Sequence, residues 1–214
     1  MKKVLILVFL LSCLCVANAQ DERELFLWNT TSVTTGIRPA SVLCLSVRTQ
    51  YQPSERRRDL SYLDLSWTNT LNSWLKLGLA YRSVQTPRES GDVYEYRPQA
   101  FGVLYNNKRK VQYSLANRME YRLFNRGETH FRYYNNFFVY FPAIISKLPK
   151  PYAGEELFTK LNGVGLHLAR LYGGLRVWEC NSFDIDLYYI FQKSKTADQW
   201  NDADILGMNL KFKI

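Results

Sequence analysis

The 214-residue chain is basic and rich in aromatic side chains: its formal net charge is +9, and 15 Tyr and 12 Phe contribute to an aromatic content of 15%. Beyond residue 20 no apolar run reaches the roughly 20 residues that a transmembrane helix needs. The one dense basic run, Arg56–Arg58, belongs to no recognisable nucleic-acid-binding module, so we interpret it as a solvated loop and expect no nucleic-acid partner.

The first residues have the three parts of a secretory signal peptide. A pair of lysines precedes an apolar stretch, and Ala17–Ala19 supplies a small-residue cleavage site. The pattern predicts a cleaved signal peptide over residues 1–19 and one mature domain over residues 20–214. The alternative is a loose lipobox ending at Cys13, which would give a lipidated amino terminus.

Removal of the two signal-peptide lysines leaves a net charge of +7. In a secreted chain this excess matches anionic outer-membrane lipids and lipopolysaccharide, which are the expected partners. Cys44 and Cys180 stay in the mature domain, and the sequence leaves open whether they pair. With two histidines and no Cys/His ligand spacing, the sequence predicts neither a metal site nor a cofactor.

Segments of about ten residues with strict period-two alternation recur along the chain, as transmembrane strands require. The plainest are 73–82, 111–123, 130–141 and 183–192, and the further candidates are 24–35, 42–51, 60–69, 93–105, 151–160, 164–177 and 203–214. A change of phase near Ala169 and Arg170 predicts a β-bulge in one of them.

Eleven candidates is an odd number, whereas single-chain bacterial outer-membrane barrels have even strand counts. If 42–51 is the first full strand, most of the longer connections lie outside and both barrel ends lie on the periplasmic side. We therefore expect an all-β, transmembrane, antiparallel up-and-down barrel of about ten strands, with 24–35 as an extra segment at the edge or in the lumen. A twelve-stranded barrel is the alternative.

The polar faces of these strands carry many charges. In a membrane barrel they converge in the lumen, where Arg and acidic side chains would form bidentate ion pairs bridging opposite walls, a structural network in preference to a pore lining. The predicted network consists of Arg48, Arg82, Arg118, Glu120, Arg122, Arg132, Glu156, Arg170, Asp184 and Asp186.

The final strand resembles the C-terminal strand of outer-membrane barrels, which the insertion machinery reads. The predicted insertion signal is Gly207, Leu210, Phe212 and Ile214. This strand is expected to pair with 42–51, with its apolar face toward lipid and Lys211 and Lys213 toward the lumen or the periplasmic rim.

The chain from Asn117 onward resembles the uncharacterised domain of unknown function 2490 family, found mainly in secreted Bacteroidetes-type proteins. The resemblance rests on Asn117–Arg122, Phe131–Tyr134, Pro151–Phe158, Leu168–Leu175 and Asp184–Tyr189, with Trp28 and Arg48 near the opening. It implies an outer-membrane barrel and no established activity. The family usually has a second Arg near Arg132, where this chain has Tyr134.

The leading hypothesis is a non-catalytic Gram-negative outer-membrane barrel of structural, binding or narrow-channel type, which would prefer anions if it conducts. The first alternative is an outer-membrane enzyme that modifies lipids or peptides, with a nucleophile, a base and an orienting group in reach of one another. Its candidate residues are Ser114, His130, His167, Glu156, Asp184 and Asp186. The second is a soluble, lipocalin-like binding barrel with its apolar face inward. The oligomeric state is open.

Overall fold

The computed structural model describes residues 23–107, 110–143, 149–196 and 199–214, so the predicted signal peptide, 1–19, lies outside the described residues. Within those ranges the chain forms eleven strands. They are β1 (Glu24–Arg38), β2 (Ser41–Gln52), β3 (Arg57–Thr70), β4 (Leu75–Thr86), β5 (Val93–Asn106), β6 (Gln112–Phe124), β7 (His130–Tyr140), β8 (Lys150–Lys160), β9 (Gly165–Glu179), β10 (Phe183–Thr196) and β11 (Gln199–Lys213).

The strands close into a single barrel in which chain neighbours pair antiparallel and β1 lies between β2 and β11. The closing pair, β1 with β11, is parallel, and Trp28 pairs with Gly207. An up-and-down barrel with an odd number of strands must close this way, because its first and last strands run in the same direction. The count is thus one more than the ten that strand parity favours.

Strand β1 is a full member of the wall, and the expected position of 24–35 at the edge or in the lumen is wrong. The expected pairing of 203–214 with 42–51 does not form either, because β1 separates the two strands. Even strand counts are typical of known barrels, but no steric rule requires them, because a parallel ladder also satisfies backbone donors and acceptors.

The odd count places the two described ends of the chain at opposite rims. The C-terminal rim holds Ile214, the connections 39–40, 71–74 and 180–182, and the strand ends Asn106, Gln112, Tyr140 and Lys150; the N-terminal rim holds Arg23 and the other strand ends. The longest sequence separation between consecutive strands, from Tyr140 to Lys150, has its strand ends at the C-terminal rim, so connection length does not separate an outer side from an inner side.

The outer face of the barrel carries many apolar side chains, and much of its interior is charged. Outward positions carry large apolar side chains that are more than a third exposed, among them Leu27, Val47, Leu65, Trp67, Leu79, Met119, Phe131, Leu171, Leu187, Leu206 and Phe212. Inward positions hold buried charged groups such as Asp64, Glu95, Arg97, Glu120 and Arg132. Since side chains alternate across a strand, the period-two pattern of the sequence generates both faces at once.

Glycines on the inner wall each lie under an aromatic ring from the neighbouring strand. A Cβ atom at any of them would collide with that ring. The cross-strand pairs are Gly78 with Phe101, Gly154 with Phe138, Gly174 with Tyr152, and Gly207 with Tyr188. Such pairs let large rings lie flat against the wall, so Gly207 has a packing role besides its predicted part in the insertion signal.

The predicted bulge in β9 lies slightly before its expected place near Ala169 and Arg170. The register of β8 with β9 shifts between Phe158 and Thr159, which pair with Leu168 and Leu166. The intervening His167 has no partner across the ladder and is buried.

Candidate functional site

The candidate site is a set of inward-facing charged side chains that we call the arginine cluster. Its members are Arg48, Arg82, Arg97, Arg118, Arg122, Arg132 and Arg170, with Asp64, Glu95, Glu120 and Glu156. All of these arginines except Arg122 line, with Glu156, a cavity of about 180 Å³ inside the barrel.

Glu120 is the most deeply buried carboxylate of the cluster, with 0% of its surface exposed. The Nε atom of Arg132 donates to its Oε2 at 2.8 Å, and Arg118 Nε lies 2.8 Å from its Oε1. One carboxylate thus pairs with two guanidinium groups, from β6 and β7.

Glu95 also serves two arginines. Arg97 donates to its two oxygens at 2.5 and 2.7 Å, and Arg122 Nη2 donates at 2.8 Å. Arg82 Nε donates to Asp64 at 2.7 Å.

These ion pairs join side chains of the same strand or of adjacent strands, so the expectation that ion pairs bridge opposite walls is wrong. Neighbouring inward positions lie close enough for a direct contact along the wall, and the side chains need not extend across the lumen.

Trp28 of β1 contacts an arginine from a strand that is not its neighbour in the sheet. The guanidinium carbons of Arg48, from β2, and Arg170, from β9, each lie 4.7 Å from its ring centroid. Cations near an aromatic face are attracted by the ring quadrupole, so Trp28 holds two arginines from separate parts of the wall.

Glu156 is the acidic centre of this region. The hydroxyls of Tyr134 and Tyr172 donate to it at 2.6 and 2.7 Å, and Arg170 Nη1 donates at 3.2 Å. At the position where the resemblance leads one to expect a second arginine, Tyr134 therefore joins the network through a neutral hydroxyl.

The arginine cluster has more positive than negative groups. Seven arginines face four carboxylates, an excess of three positive charges among the named members. Buried charge is strongly unfavourable unless it is paired, and two of the four carboxylates already serve two arginines each. The named members of the cluster therefore carry a net positive charge.

Beside the cluster, an aromatic and aliphatic core occupies the part of the lumen next to β1 and β7–β11. Its buried members are Trp28, Tyr152, Tyr188, Ile190 and Ile205, with Phe26, Phe138, Tyr140 and Tyr172 packed against them. Because these side chains occupy the lumen, the space left is narrow.

Asp184 and Asp186 belong to a different set near the C-terminal rim. Lys213 Nζ donates to Asp184 at 2.8 Å, and Asp186 accepts from Lys211 at 2.5 Å and from Arg176 at 2.9 Å. The ten network residues of the sequence analysis thus divide into eight of the arginine cluster and two at this rim.

The two candidate histidines lie in the same part of the barrel, but the candidate nucleophile and the aspartates lie at its other end. His130 begins β7 at the N-terminal rim, where its Nδ1 lies 3.1 Å from the Glu128 carbonyl. Ser114 is near the opposite end of β6, paired with Phe138. Asp184 and Asp186 lie at the C-terminal rim, and His167 makes no hydrogen bond to any of these candidates in the described part of the chain.

Across the described ranges no group of three or more His, Cys, Asp or Glu side chains could hold a metal ion. The same ranges contain no helix long and apolar enough to cross a membrane. Cys44 and Cys180 are both free thiols. Cys180 lies in the 180–182 turn, where a hydrogen bond from the backbone N–H of Phe183 at 3.3 Å lowers the pKa of its thiol.

Asp64, Glu95, Arg97 and Arg176 are inward charges that were not predicted. The first three lie within the predicted strands 60–69 and 93–105. Assigning faces in those strands from their alternation would have found them. Arg176 lies six residues after the predicted inward Arg170, in a stretch of β9 with regular register, so the same alternation would have found it.

The sequence model of the family described as "protein of unknown function (DUF2490)" matches residues 26–203. The chain belongs to this family. The matched segment contains every member of the arginine cluster and most of the barrel wall, from β1 to the first part of β11. No curated protein matches the chain.

Proposed function

We propose that this DUF2490 protein is a non-catalytic outer-membrane barrel that acts as a narrow, anion-preferring channel. The observation that carries the proposal is the cavity inside the barrel, lined by six arginines and one glutamate. Rings of Arg and Lys favour anions in pores because the fixed charges replace part of the hydration that the anion gives up.

Membrane insertion is supported by the outer surface. The eleven strands have 11 to 15 residues each, and about 9–11 residues suffice for a tilted transmembrane strand. Exposed leucines and valines cover the middle of the barrel. Such a surface is unfavourable in water and favourable in lipid.

Aromatic side chains at both ends of the outer surface also support membrane insertion. Trp74, Trp178 and Phe212 are exposed near the C-terminal rim, and Tyr94 and Trp200 are exposed near the N-terminal rim. Aromatic girdles at the two membrane–water interfaces are typical of outer-membrane barrels. A soluble lipocalin-like barrel requires the opposite arrangement, with the charged groups outside.

Conduction is expected to be small, since aromatic rings and ion pairs occupy much of the lumen. Planar-bilayer recording of the purified protein across a KCl gradient tests the proposal. We expect low-amplitude currents with a reversal potential of the sign set by chloride. Electrical silence, or a reversal potential of the sign set by potassium, overturns it.

A further inference from the structure

One arginine of the cluster, Arg48, forms no ion pair at contact distance among the described residues, and Glu156 acts on it only at longer range. Arg48 donates through Nε to Thr30 Oγ1 at 2.8 Å. Among the described residues its two Nη nitrogens have no hydrogen-bond or carboxylate partner, and its side chain lines the 180 Å³ cavity. The other five arginines around that cavity each contact a carboxylate.

The guanidinium group of Arg48 is nevertheless held in place. Its carbon lies 4.7 Å from the Trp28 ring centroid and 5.3 Å from that of Tyr62. Together with the bond to Thr30, these contacts fix the planar group and leave its Nη donors free. A guanidinium fixed in advance binds an oxyanion well, because its fork matches two oxygens and little side-chain entropy is lost.

Two further arginines lie at the same cavity. Arg170 contacts the same indole ring as Arg48, at 4.7 Å, and its partner Glu156 is shared with two tyrosine hydroxyls. Arg82 lies 4.2 Å from the centroid of the Tyr62 ring, which Arg48 also contacts. The positive charge around Arg48 is therefore only partly neutralised.

We propose that this cavity is a binding site for a small tetrahedral oxyanion of the phosphate class, with Arg48 as its principal ligand and Arg170 and Arg82 beside it. A cavity of about 150 Å³ accommodates a molecule the size of benzene, so the space here suits inorganic phosphate. It is below the roughly 300 Å³ at which pockets for drug-sized ligands begin, which excludes nucleotides and intact lipids.

Strand β1, which closes the barrel in parallel with β11, contributes to this site. Thr30 and Trp28, which hold Arg48, both come from β1, so the strand that makes the count odd also builds the site. This inference rests on the proposed channel function and adds to it a site at which a permeating anion binds.

The test is isothermal titration of inorganic phosphate into the purified full-length mature protein in detergent, at constant ionic strength. We expect measurable binding by the wild type and at least tenfold weaker binding by Arg48→Gln. The matched control is Arg176→Gln, an inward arginine that belongs neither to the arginine cluster nor to this cavity and donates to Asp186. Its phosphate affinity should stay within twofold of the wild type.

Two measurements keep the test decisive if Arg48→Gln does not fold. Arg48→Lys retains the charge but loses the planar two-donor geometry of the guanidinium group, and it should also bind phosphate more weakly than Arg176→Gln. For the wild type alone, phosphate should raise the unfolding temperature above that in chloride of equal ionic strength, because ligands stabilise the state they bind. Absence of that shift, or equal affinities of the Arg48 and Arg176 variants, overturns the site.

Failure of the site and failure of the channel are distinguishable. Chloride-selective currents without phosphate binding would refute the site and leave the channel intact. Phosphate binding that depends on Arg48 in an electrically silent protein would refute the channel and leave the site intact.

Discussion

Replacing Glu120 by glutamine removes the carboxylate that pairs with Arg118 and Arg132 in the barrel wall. The side chain of Glu120 is fully buried, and those of Arg118 and Arg132 are 17% and 7% exposed. The substitution leaves two guanidinium groups in a nearly dry environment with a neutral amide between them. The shape of the side chain is almost unchanged, so the effect reports on charge.

The expected loss of unfolding free energy is large. Breaking a buried ion pair by removing one partner is destabilising by about 3–5 kcal/mol. The hydrogen bond from Arg132 to this carboxylate, of a kind that contributes about 1.5–3 kcal/mol, accounts for part of the loss. With a urea dependence of about 2 kcal/mol per M, the unfolding midpoint should fall by about 2 M.

Urea unfolding of protein folded into lipid vesicles, followed by tryptophan fluorescence, measures this loss. The control is Glu179→Gln at the C-terminal rim, whose side chain is 37% exposed and pairs with Lys150 and Arg176. Exposed pairs contribute about 0–1 kcal/mol, so the control should behave nearly as the wild type. A loss below about 1 kcal/mol for Glu120→Gln, or one equal to the control's, would refute the reasoning on buried charge.

Three further predictions concern the wall, the lipid face and the rim. Gly154→Ala should lower the unfolding free energy by about 1–3 kcal/mol, because the added methyl collides with the Phe138 ring; Gly173→Ala has open space around it and should have little effect in the same urea assay. Leu79→Arg, on the exposed middle of the outer face, should destabilise the lipid-inserted barrel by about 2–4 kcal/mol, without a comparable loss of the protein's solubility. Equal stability of the variant and the wild type in vesicles would contradict a lipid-facing position. Cys180, kept as the sole cysteine, should react with a membrane-impermeant maleimide after the outer membrane is permeabilised and not in intact cells. Its lowered pKa should keep the thiol reactive at a lower pH than an ordinary thiol. Labelling of intact cells would place the C-terminal rim outside.

The sequence predicts the wall of the barrel well because alternation is a local property. All eleven candidate segments are strands, including 24–35, whose Trp28 and Thr30 face inward like the charges of its neighbours. How the barrel closes depends on which strands pair with one another, and a local sequence pattern does not predict this pairing. The parity rule for known barrels favoured ten strands, whereas the chain closes with a parallel pair.

The sequence predicts which residues belong to the candidate site better than it predicts the contacts between them. The eight arginine-cluster residues named from the sequence lie on inward faces, but the partner of each depends on cross-strand register. Register is set by bulges and turns, such as the shift in the β2–β3 pair between Gln50 and Tyr51. The contact of Trp28 with Arg170 joins strands that are adjacent neither in sequence nor in the sheet, and only the closed barrel brings them together.

The most direct test of the central claim, an outer-membrane barrel with its charges inside, is membrane fractionation of cells expressing the full chain, followed by gel migration of the extracted protein with and without heating. We expect the protein in the outer-membrane fraction, resistant to a carbonate wash, and migrating faster before heating than after it because the closed barrel stays folded in detergent. Recovery in the soluble periplasmic fraction, with the same migration under both conditions, would contradict the account.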